Sequence, residues 1–314
     1  MSFLINTNVT ALNAANNLGV NSDKLNSDIA HLSSGLRINS AADDAAGLVI
    51  SNSLSAQDAG ITQATRNTND AINVVKTADS ALGQVSTLLT NIRQLVLHAA
   101  NVGANDATAA AADKEAIRQA VNSIDRIANT TQFNNKNLLQ GNAGTTAGSS
   151  TSLTFQVGAN GGQTVQVAIG DARSLNLGNV TTTDTYTGAD GSATSFSAAE
   201  SLAALGGATP TLDITGGSNG NNAQEALKIV DNAISAVSTA QADLGAVQSN
   251  ELQTNVQSLA AAQTNTESSL STIRDVDLAS QIVDYTKNQI LVQAGTSALA
   301  QANQAPQAIL KLLQ

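Results

Sequence analysis

Apolar residues recur at coiled-coil spacing near the start of the chain. Leu18, Leu25 and Leu32 are seven residues apart, and Ile29 and Leu36 occupy the alternate seam position. A repeat of seven with apolar residues at two positions predicts a helix that packs along one narrow seam. The N-terminal segment is therefore predicted to be a long helix that needs a partner.

Two further seams predict a helical bundle. The first alternates steps of three and four residues and consists of Val75, Ala78, Leu82, Val85, Leu89, Ile92 and Val96. The second keeps the same register with two polar interruptions and consists of Leu227, Val230, Ile234, Val237, Gln241, Leu244 and Gln248. Because a narrow seam is stable only against another helix, these segments are expected to pack together.

Residues 37–44 separate the first two seams. Ser40 is the predicted N-cap of the following helix, and Asp43 stands three residues later, where a carboxylate meets free amides. The same two carboxylates, Asp43 and Asp44, could suggest a metal or acid–base site, but capping explains them better.

The middle of the chain follows a different pattern. Residues 153–157 and 165–169 alternate apolar and polar side chains around a glycine-rich stretch, and Asn160-Gly161 is a favoured hairpin turn. This predicts a β-hairpin over about residues 153–169. From 170 to 222 the chain is rich in Thr, Ser, Gly and Asn, with short strands expected near 211–215 and a short helix near 198–205. We interpret this part as an exposed insertion or very small outer domain.

Composition limits the classes of protein that are possible. Aromatic residues make up 2% of the 314 residues and there is no Cys, which excludes disulfides, thiolate metal sites and a Cys nucleophile. The net charge is −10 and the 14 Lys and Arg are scattered, which disfavours nucleic-acid binding. His31 and His98 are the only histidines and are expected to be structural. We therefore predict no catalytic, metal or cofactor site.

The sequence shows neither the pattern of a secretory signal peptide nor that of a membrane span. The N-terminus has no positive n-region, and no run approaches the roughly 18 apolar residues of a membrane span. These facts alone indicate a cytoplasmic protein, or one that leaves the cell by another export route. Ordering an Ala- and Asn-rich helix costs about as much as its burial gains, so the chain ends are expected to fold only on assembly.

Four motifs in order give the chain a family likeness. Residues 32–47, 130–141, 243–248 and 290–310 resemble bacterial flagellin signatures. The resemblance implies a mainly α fold: residues 1–40 with 275–314 form an innermost coiled coil, and 44–175 with 222–274 form a helical bundle with the hairpin. Residues 176–221 would be the small surface-exposed segment.

The same resemblance implies a function. A flagellin is a structural subunit that polymerises into the helical flagellar filament outside the cell, and it is not an enzyme. Its implied partners are its own copies, hook-associated and cap proteins, an export chaperone and the flagellar type III export apparatus, without a cleaved signal peptide. The residues implied in the terminal polymerisation core are Leu18, Leu25, Ile29, Leu32, Ile290, Leu291, Leu299, Ile309 and Leu310.

Part of the second seam resembles the flagellin segment that an animal Toll-like receptor detects. Arg93 and Leu95 match that pattern, whereas Asn91 replaces an Arg, and Gln94 and Ala116 each replace a Glu. Loss of one cation and two carboxylates removes charge-assisted contacts. Weakened receptor recognition is therefore expected.

Three alternatives stay open at this point. A hook-associated junction protein shares flagellin-like ends, and residues 170–222 could instead form a binding module for a glycan or host surface. An enzyme is disfavoured because no nucleophile, metal or phosphate-binding constellation is present in the sequence. The hydroxyl-rich stretch 181–197 is also a possible site of O-linked glycans.

Overall fold

The computed structural model describes residues 8–101, 105–141, 150–178, 184–187, 193–196, 201–206 and 221–312. Only the backbone is described for 184–187, 193–196, 221–222 and 305–312. The chain divides into two compact units, Met1–Ala59 with Ala262–Gln314, and Gly60–Ala261. These units are called the terminal unit and the central unit below.

The terminal unit is built on two antiparallel helices, α1 (Val9–Ser34) and α7 (Leu278–Leu312). The Asn8 side chain caps α1 by accepting from the Ala11 amide at 3.1 Å. The helix ends at Gly35, whose φ of +71° is the left-handed conformation typical of a helix C-terminus. Beyond it, Leu36 forms an isolated antiparallel bridge with Asp275, which ties the two segments together just outside the helices.

Helix α2 (Ala45–Ala99) begins four residues later than predicted. Its cap is Asp44, whose Oδ1 accepts from the Gly47 amide at 2.9 Å, so the prediction of Ser40 as the cap is wrong. Asp43 instead turns back and accepts from the backbone amides of Asn39 and Ser40 at 3.0 and 2.8 Å. Ser and Asp are both common N-cap residues, and the sequence pattern does not distinguish Ser40 from Asp44.

The central unit is a helical bundle with small β elements. Its helices are α3 (Ala107–Thr130), the one-turn α4 (Ala203–Gly206) and α5 (Asn221–Ala246), together with parts of α2 and of α6 (Thr254–Arg274). Apolar side chains from α2, α3, α4 and α5, together with Val167 and Ile169, contribute to one buried core. Asp106 caps α3 by accepting from the Ala109 amide at 2.7 Å.

A π-helical segment, Val247–Gln253, joins α5 to α6. Buried side chains before it recur every seven residues at Val230, Val237 and Leu244, but the next is Leu252, eight residues on. A π turn holds one more residue than an α turn, so the segment takes up the extra residue. Gln248, the last residue of the predicted third seam, lies within this segment and is half-buried.

The strands form three two-stranded antiparallel pairs. They are β1 (Gln132–Phe133) with β2 (Lys136–Asn137), β3 (Thr151–Gln156) with β4 (Thr164–Ile169), and β5 (Asp184–Thr187) with β6 (Ala193–Phe196). The β3–β4 pair is the predicted hairpin, and its register places Leu153 opposite Val167 and Phe155 opposite Val165. The Gln163 amide donates to the Asn160 carbonyl, so the central turn residues are Gly161 and Gly162 and not Asn160-Gly161.

The mainly α fold with a β-hairpin is thus confirmed. The β1–β2 pair was not predicted; its turn uses Asn134 and Asn135, both with positive φ. The β5–β6 pair was also not predicted, and the helix expected near 198–205 is the single turn α4. The strands expected near 211–215 lie outside the described residues. The division into an inner coiled coil, a bundle and an outer segment stays a prediction.

Candidate assembly interface

The terminal unit presents a seam between α1 and α7. Seam residues, more buried than most of their neighbours, follow alternating steps of three and four. On α1 they are Ala11, Ala14, Leu18, Asn21, Leu25, Asp28 and Leu32. On α7 they are Gln281, Tyr285, Asn288, Val292, Gly295, Leu299 and Ala302. At the far end of the pair the Asn8 side-chain Nδ2 donates to the Ala302 carbonyl at 2.8 Å, which shows the antiparallel alignment directly.

The alternate seam position on α1 is polar. Asp28 occupies it and is buried, whereas Ile29, predicted to lie there, is 47% exposed. The reason is the step from Leu25, which is three residues in the structure and four in the prediction. Leu36, the other residue predicted at that position, lies beyond α1 in the bridge with Asp275.

Large apolar side chains lie exposed on both helices of the terminal unit. On α1 they are Val9, Leu12, Val20 and Ile29, and on α7 they are Leu278, Ile282, Val283, Ile290 and Leu291. None of the nine is among the seam residues, so they point in several directions around the pair. Nine exposed valines, leucines and isoleucines on one helix pair mark an interaction surface.

The predicted polymerisation residues are distributed between the seam and this exposed surface. Leu18, Leu25, Leu32 and Leu299 are half-buried on the seam. Ile29, Ile290 and Leu291 are exposed, as stated above. Ile309 and Leu310 lie within α7, and their side chains are outside the described residues.

The predicted bundle seams meet in the core of the central unit. Residues Val75, Ala78, Leu82, Val85, Leu89, Ile92 and Val96 are all buried there. From the other seam Val230, Val237 and Leu244 are buried, while Leu227 and Ile234 are partly buried against the same core. The polar interruption Gln241 donates to the Asp79 side chain at 3.1 Å, so it links two helices at the edge of the core.

The receptor-like segment lies on the outer face of α2 and α3. Asn91, Gln94 and Ala116 are exposed, and Leu95 is partly buried against the core. The Arg93 Nε donates to Asp231 Oδ1 at 2.7 Å, and this hydrogen bond raises the pKa of Arg93 above its ordinary value. Arg93 therefore already has a carboxylate partner within the chain.

Both histidines stand beside carboxylates. His31 Nε2 lies 3.7 Å from Asp43 Oδ1, and the backbone hydrogen bonds from Ser40 and Asn39, with His31 contributing, lower the pKa of Asp43. His98 Nδ1 lies 2.6 Å from Asp113 Oδ2 and joins the end of α2 to α3. Within the described ranges, no group of three His, Cys, Asp or Glu residues could hold a metal ion.

Several polar contacts were missed in the sequence. Asp28 accepts from the Gln281 and Asn288 side chains at 2.8 and 2.7 Å. Asp125 accepts from both the amide and the hydroxyl of Ser174 at 2.7 Å. These partners are far apart in the chain, so no local sequence pattern predicts the contacts.

Among the described helices, none combines the length and the hydrophobicity that a membrane span requires.

Comparisons with known proteins agree with this architecture. A profile of the bacterial flagellin N-terminal helical region matches residues 5–144, and one of the bacterial flagellin C-terminal helical region matches residues 227–313. The flagellin of Bacillus subtilis strain 168 is 40% identical, over 99% of each chain. The flagellar filament 33 kDa core protein of Treponema phagedenis is 37% identical, over 99% of this chain and 100% of its own.

A solved structure shares the fold. The structure of a putative flagellar hook-associated protein from Vibrio parahaemolyticus superposes with a TM-score of 0.53, over 74% of this chain and all of that one. The sequence identity is 15%, so the likeness concerns the fold alone.

Proposed function

The chain belongs to the bacterial flagellin family and is a structural subunit of the flagellar filament, not an enzyme, and from this premise we propose that its terminal unit drives polymerisation. The observation that carries the proposal is the set of nine exposed apolar side chains on α1 and α7. They face several directions, as expected of a helix pair that neighbouring copies surround. A head-to-tail contact of this kind does not close on itself and propagates as a filament.

The free energy available from covering these side chains is of the size that assembly requires. Full burial of an aliphatic side chain contributes roughly 1.5–3 kcal/mol, so covering the exposed half of each contributes about 1 kcal/mol. Nine such residues together contribute on the order of 10 kcal/mol per subunit, comparable to the estimated cost of about 4–15 kcal/mol for association. Removing one apolar group, or adding a charge beside it, should therefore shift the polymerisation equilibrium strongly.

The test compares two neighbouring positions on α7. Ile290 is 59% exposed and apolar, and Gln289 is exposed and polar, so Ile290→Asp and Gln289→Asp introduce the same charge on adjacent surface sites. Growth on short filament seeds is followed by light scattering and electron microscopy. Ile290→Asp is expected to raise the critical concentration at least about tenfold, equivalent to ~1.4 kcal/mol, and Gln289→Asp much less.

Circular dichroism of both soluble variants checks that the central unit is intact. Equal growth of Ile290→Asp and the natural chain would refute a polymerisation role for this face of α7. A fall in growth that is equal for both variants would indicate a general charge effect and would also count against the proposal.

We further propose the division of labour implied by the family. Residues 1–40 with 275–314 would form the innermost coiled coil, 44–175 with 222–274 the surrounding bundle, and 176–221 the outward segment. Support comes from the exposed apolar surface on α1 and α7, which contrasts with the buried core of the central unit. Limited proteolysis of filaments should cut within 176–221 before it cuts either terminal helix.

The family places the assembled protein in the extracellular filament. We propose that the subunit is exported to the filament through the flagellar type III apparatus, without cleavage of a signal peptide. The apolar surface of α1 and α7 would need protection before assembly, which is the role proposed for an export chaperone. Hook-associated and cap proteins would then meet the same surface at the filament ends. Intact mass of filament subunits tests the absence of cleavage, because a shorter chain would reject it.

Recognition by the innate receptor is proposed to be weak. Arg93 is held by Asp231, and the exposed Asn91, Gln94 and Ala116 offer no charge to a partner. Restoring the lost charges with Asn91→Arg, Gln94→Glu and Ala116→Glu should raise potency in a receptor reporter assay. If the natural chain already matches a strongly stimulatory flagellin, the proposal fails.

A further inference from the structure

Asp28 is a buried acidic residue in the middle of the terminal seam. It is 9% exposed, and its partner Asn288 is 8% exposed. The Gln281 side chain donates to Oδ1 of Asp28 and the Asn288 side chain donates to Oδ2, so each carboxylate oxygen has its own amide donor. A polar residue at such a position usually costs stability relative to a well-packed apolar one. Asp28 is therefore better explained by a contribution to specific pairing than by a contribution to stability.

The apolar seam alone does not define one alignment of α1 against α7. Leu18, Leu25 and Leu32 are seven residues apart, so a shift by one repeat replaces each leucine by another. On α7 the seam likewise repeats every seven residues. Helices with such repeats are prone to pair in shifted registers.

The Asp28 layer loses hydrogen bonds when the helices shift. A shift of one repeat that brings Ala302 opposite Leu18 also brings Asn288 and Gly295 beside Asp28. Gly295 has no side chain, so one of the two amide donors is lost. A shift in the other direction removes Asn288 from Asp28 and would pull Asp275 out of its bridge with Leu36.

We propose that Asp28 specifies the register of the terminal helix pair, so that assembling subunits accept one alignment of α1 against α7. This inference deepens the proposed function, because it rests on α1 and α7 forming the polymerising unit. Asp28 acts as a positioning residue through its two hydrogen bonds. The Leu36–Asp275 bridge also opposes a shift, and because the substitutions below leave it unchanged, a difference between variants reports the Asp28 layer.

Engineered cysteines can report the register, since the natural chain has none. A Cβ atom at position 295 would lie 3.7 Å from the Cβ of Leu18, within the roughly 3.5–4.5 Å that a disulfide needs. Leu18→Cys with Gly295→Cys therefore reports the native register. Leu18→Cys with Ala302→Cys reports the alignment shifted by one repeat.

Each cysteine pair is placed in the natural chain and in Asp28→Leu, Asp28→Asn and Asn21→Leu backgrounds. Asn21 is the matched control because it is the half-buried seam residue one repeat before Asp28. Variants are incorporated as a minority into filaments of the cysteine-free chain, so that assembly does not depend on them. After oxidation, chains closed by an internal disulfide are measured by their faster migration on a non-reducing gel.

Asp28→Leu is expected to raise the ratio of shifted to native closure about tenfold, the change that loss of a hydrogen bond to a charged group produces at the low end. Asp28→Asn should stay near the natural ratio, since an amide can accept from one partner and donate to the other. Asn21→Leu should also leave the ratio unchanged.

An unchanged ratio in Asp28→Leu, or an equal rise in Asn21→Leu, would overturn the assignment of register to Asp28. Absence of 18–295 closure in well-formed filaments would overturn the pairing itself, while leaving filament formation in place. Failure of the natural chain to grow on seeds would instead refute the proposed function, so the two failures are separate.

Discussion

Leu89 is a direct test of the buried seam in the central unit. It is 0% exposed in α2 and lies between Val85 and Ile92 in the core. Leu89→Ala removes buried methyl groups and leaves a cavity, which costs about 2.7–5 kcal/mol in well-packed cores. We expect a loss of about 3 kcal/mol in the free energy of unfolding of the central unit.

The assay is thermal and urea unfolding of the soluble chain, followed by circular dichroism. For a unit of about 200 residues, ~3 kcal/mol corresponds to a fall of roughly 6–12 °C in the melting temperature. The control is Leu97→Ala, on the same helix but 54% exposed. It removes the same atoms from a site largely in water, and a change within about 0.5 kcal/mol is expected.

Equal destabilisation by Leu89→Ala and Leu97→Ala would show that burial in this seam does not determine stability. An unchanged melting temperature in Leu89→Ala would refute the reasoning more directly. Seeded growth of Leu89→Ala at a temperature well below its melting point should remain close to that of the natural chain. Its altered residue belongs to the central unit and not to the exposed apolar surface.

Two further outcomes are expected. Gly178 has a φ of +73°, and an added Cβ would collide with the Ile229 carbonyl, so Gly178→Ala should cost about 2–4 kcal/mol in urea unfolding, whereas Gly161→Ala, in open space, should be nearly neutral. Hydrogen bonds from Arg118 lower the pKa of Glu115 from 4.5 to about 2, so its stabilisation is present above the ordinary pKa and is lost as pH falls toward 2. An NMR titration midpoint near 4.5 would contradict that ion pair.

Much of the helical architecture could be predicted from apolar spacing. The seam that contains Leu82 and Leu89 is continuous and consists of aliphatic residues, so burial and periodicity carry the same signal. The hairpin strands were found for a similar reason, since Leu153 and Phe155 alternate with polar residues. In these elements each residue's local preference agrees with its tertiary environment.

The remaining features depend on contacts that the sequence does not reveal. From the sequence alone Asp28 is expected at the surface. It is buried because the pairing of distant helices brings Gln281 and Asn288 beside it. Ser40 and Asp44 are both suited to capping, and only the path of the loop, in which Asp43 accepts from the Ser40 amide, decides between them. The environment of a polar side chain thus depends on its hydrogen-bond partners, whereas burial of an apolar side chain follows from the periodicity of apolar residues in the sequence.

The wide turn at Val247–Gln253 also bears on how this polypeptide can change in length. A residue added to a regular helix rotates everything downstream by about 100° and would turn the buried stripe toward solvent. Here the seven-residue spacing of buried side chains returns at Leu252 and Leu259, because the additional residue is held within the wide turn. Such a turn lets a long helix accommodate the insertion of a single residue. Deletion of one residue at the same place is expected to restore a continuous α-helix.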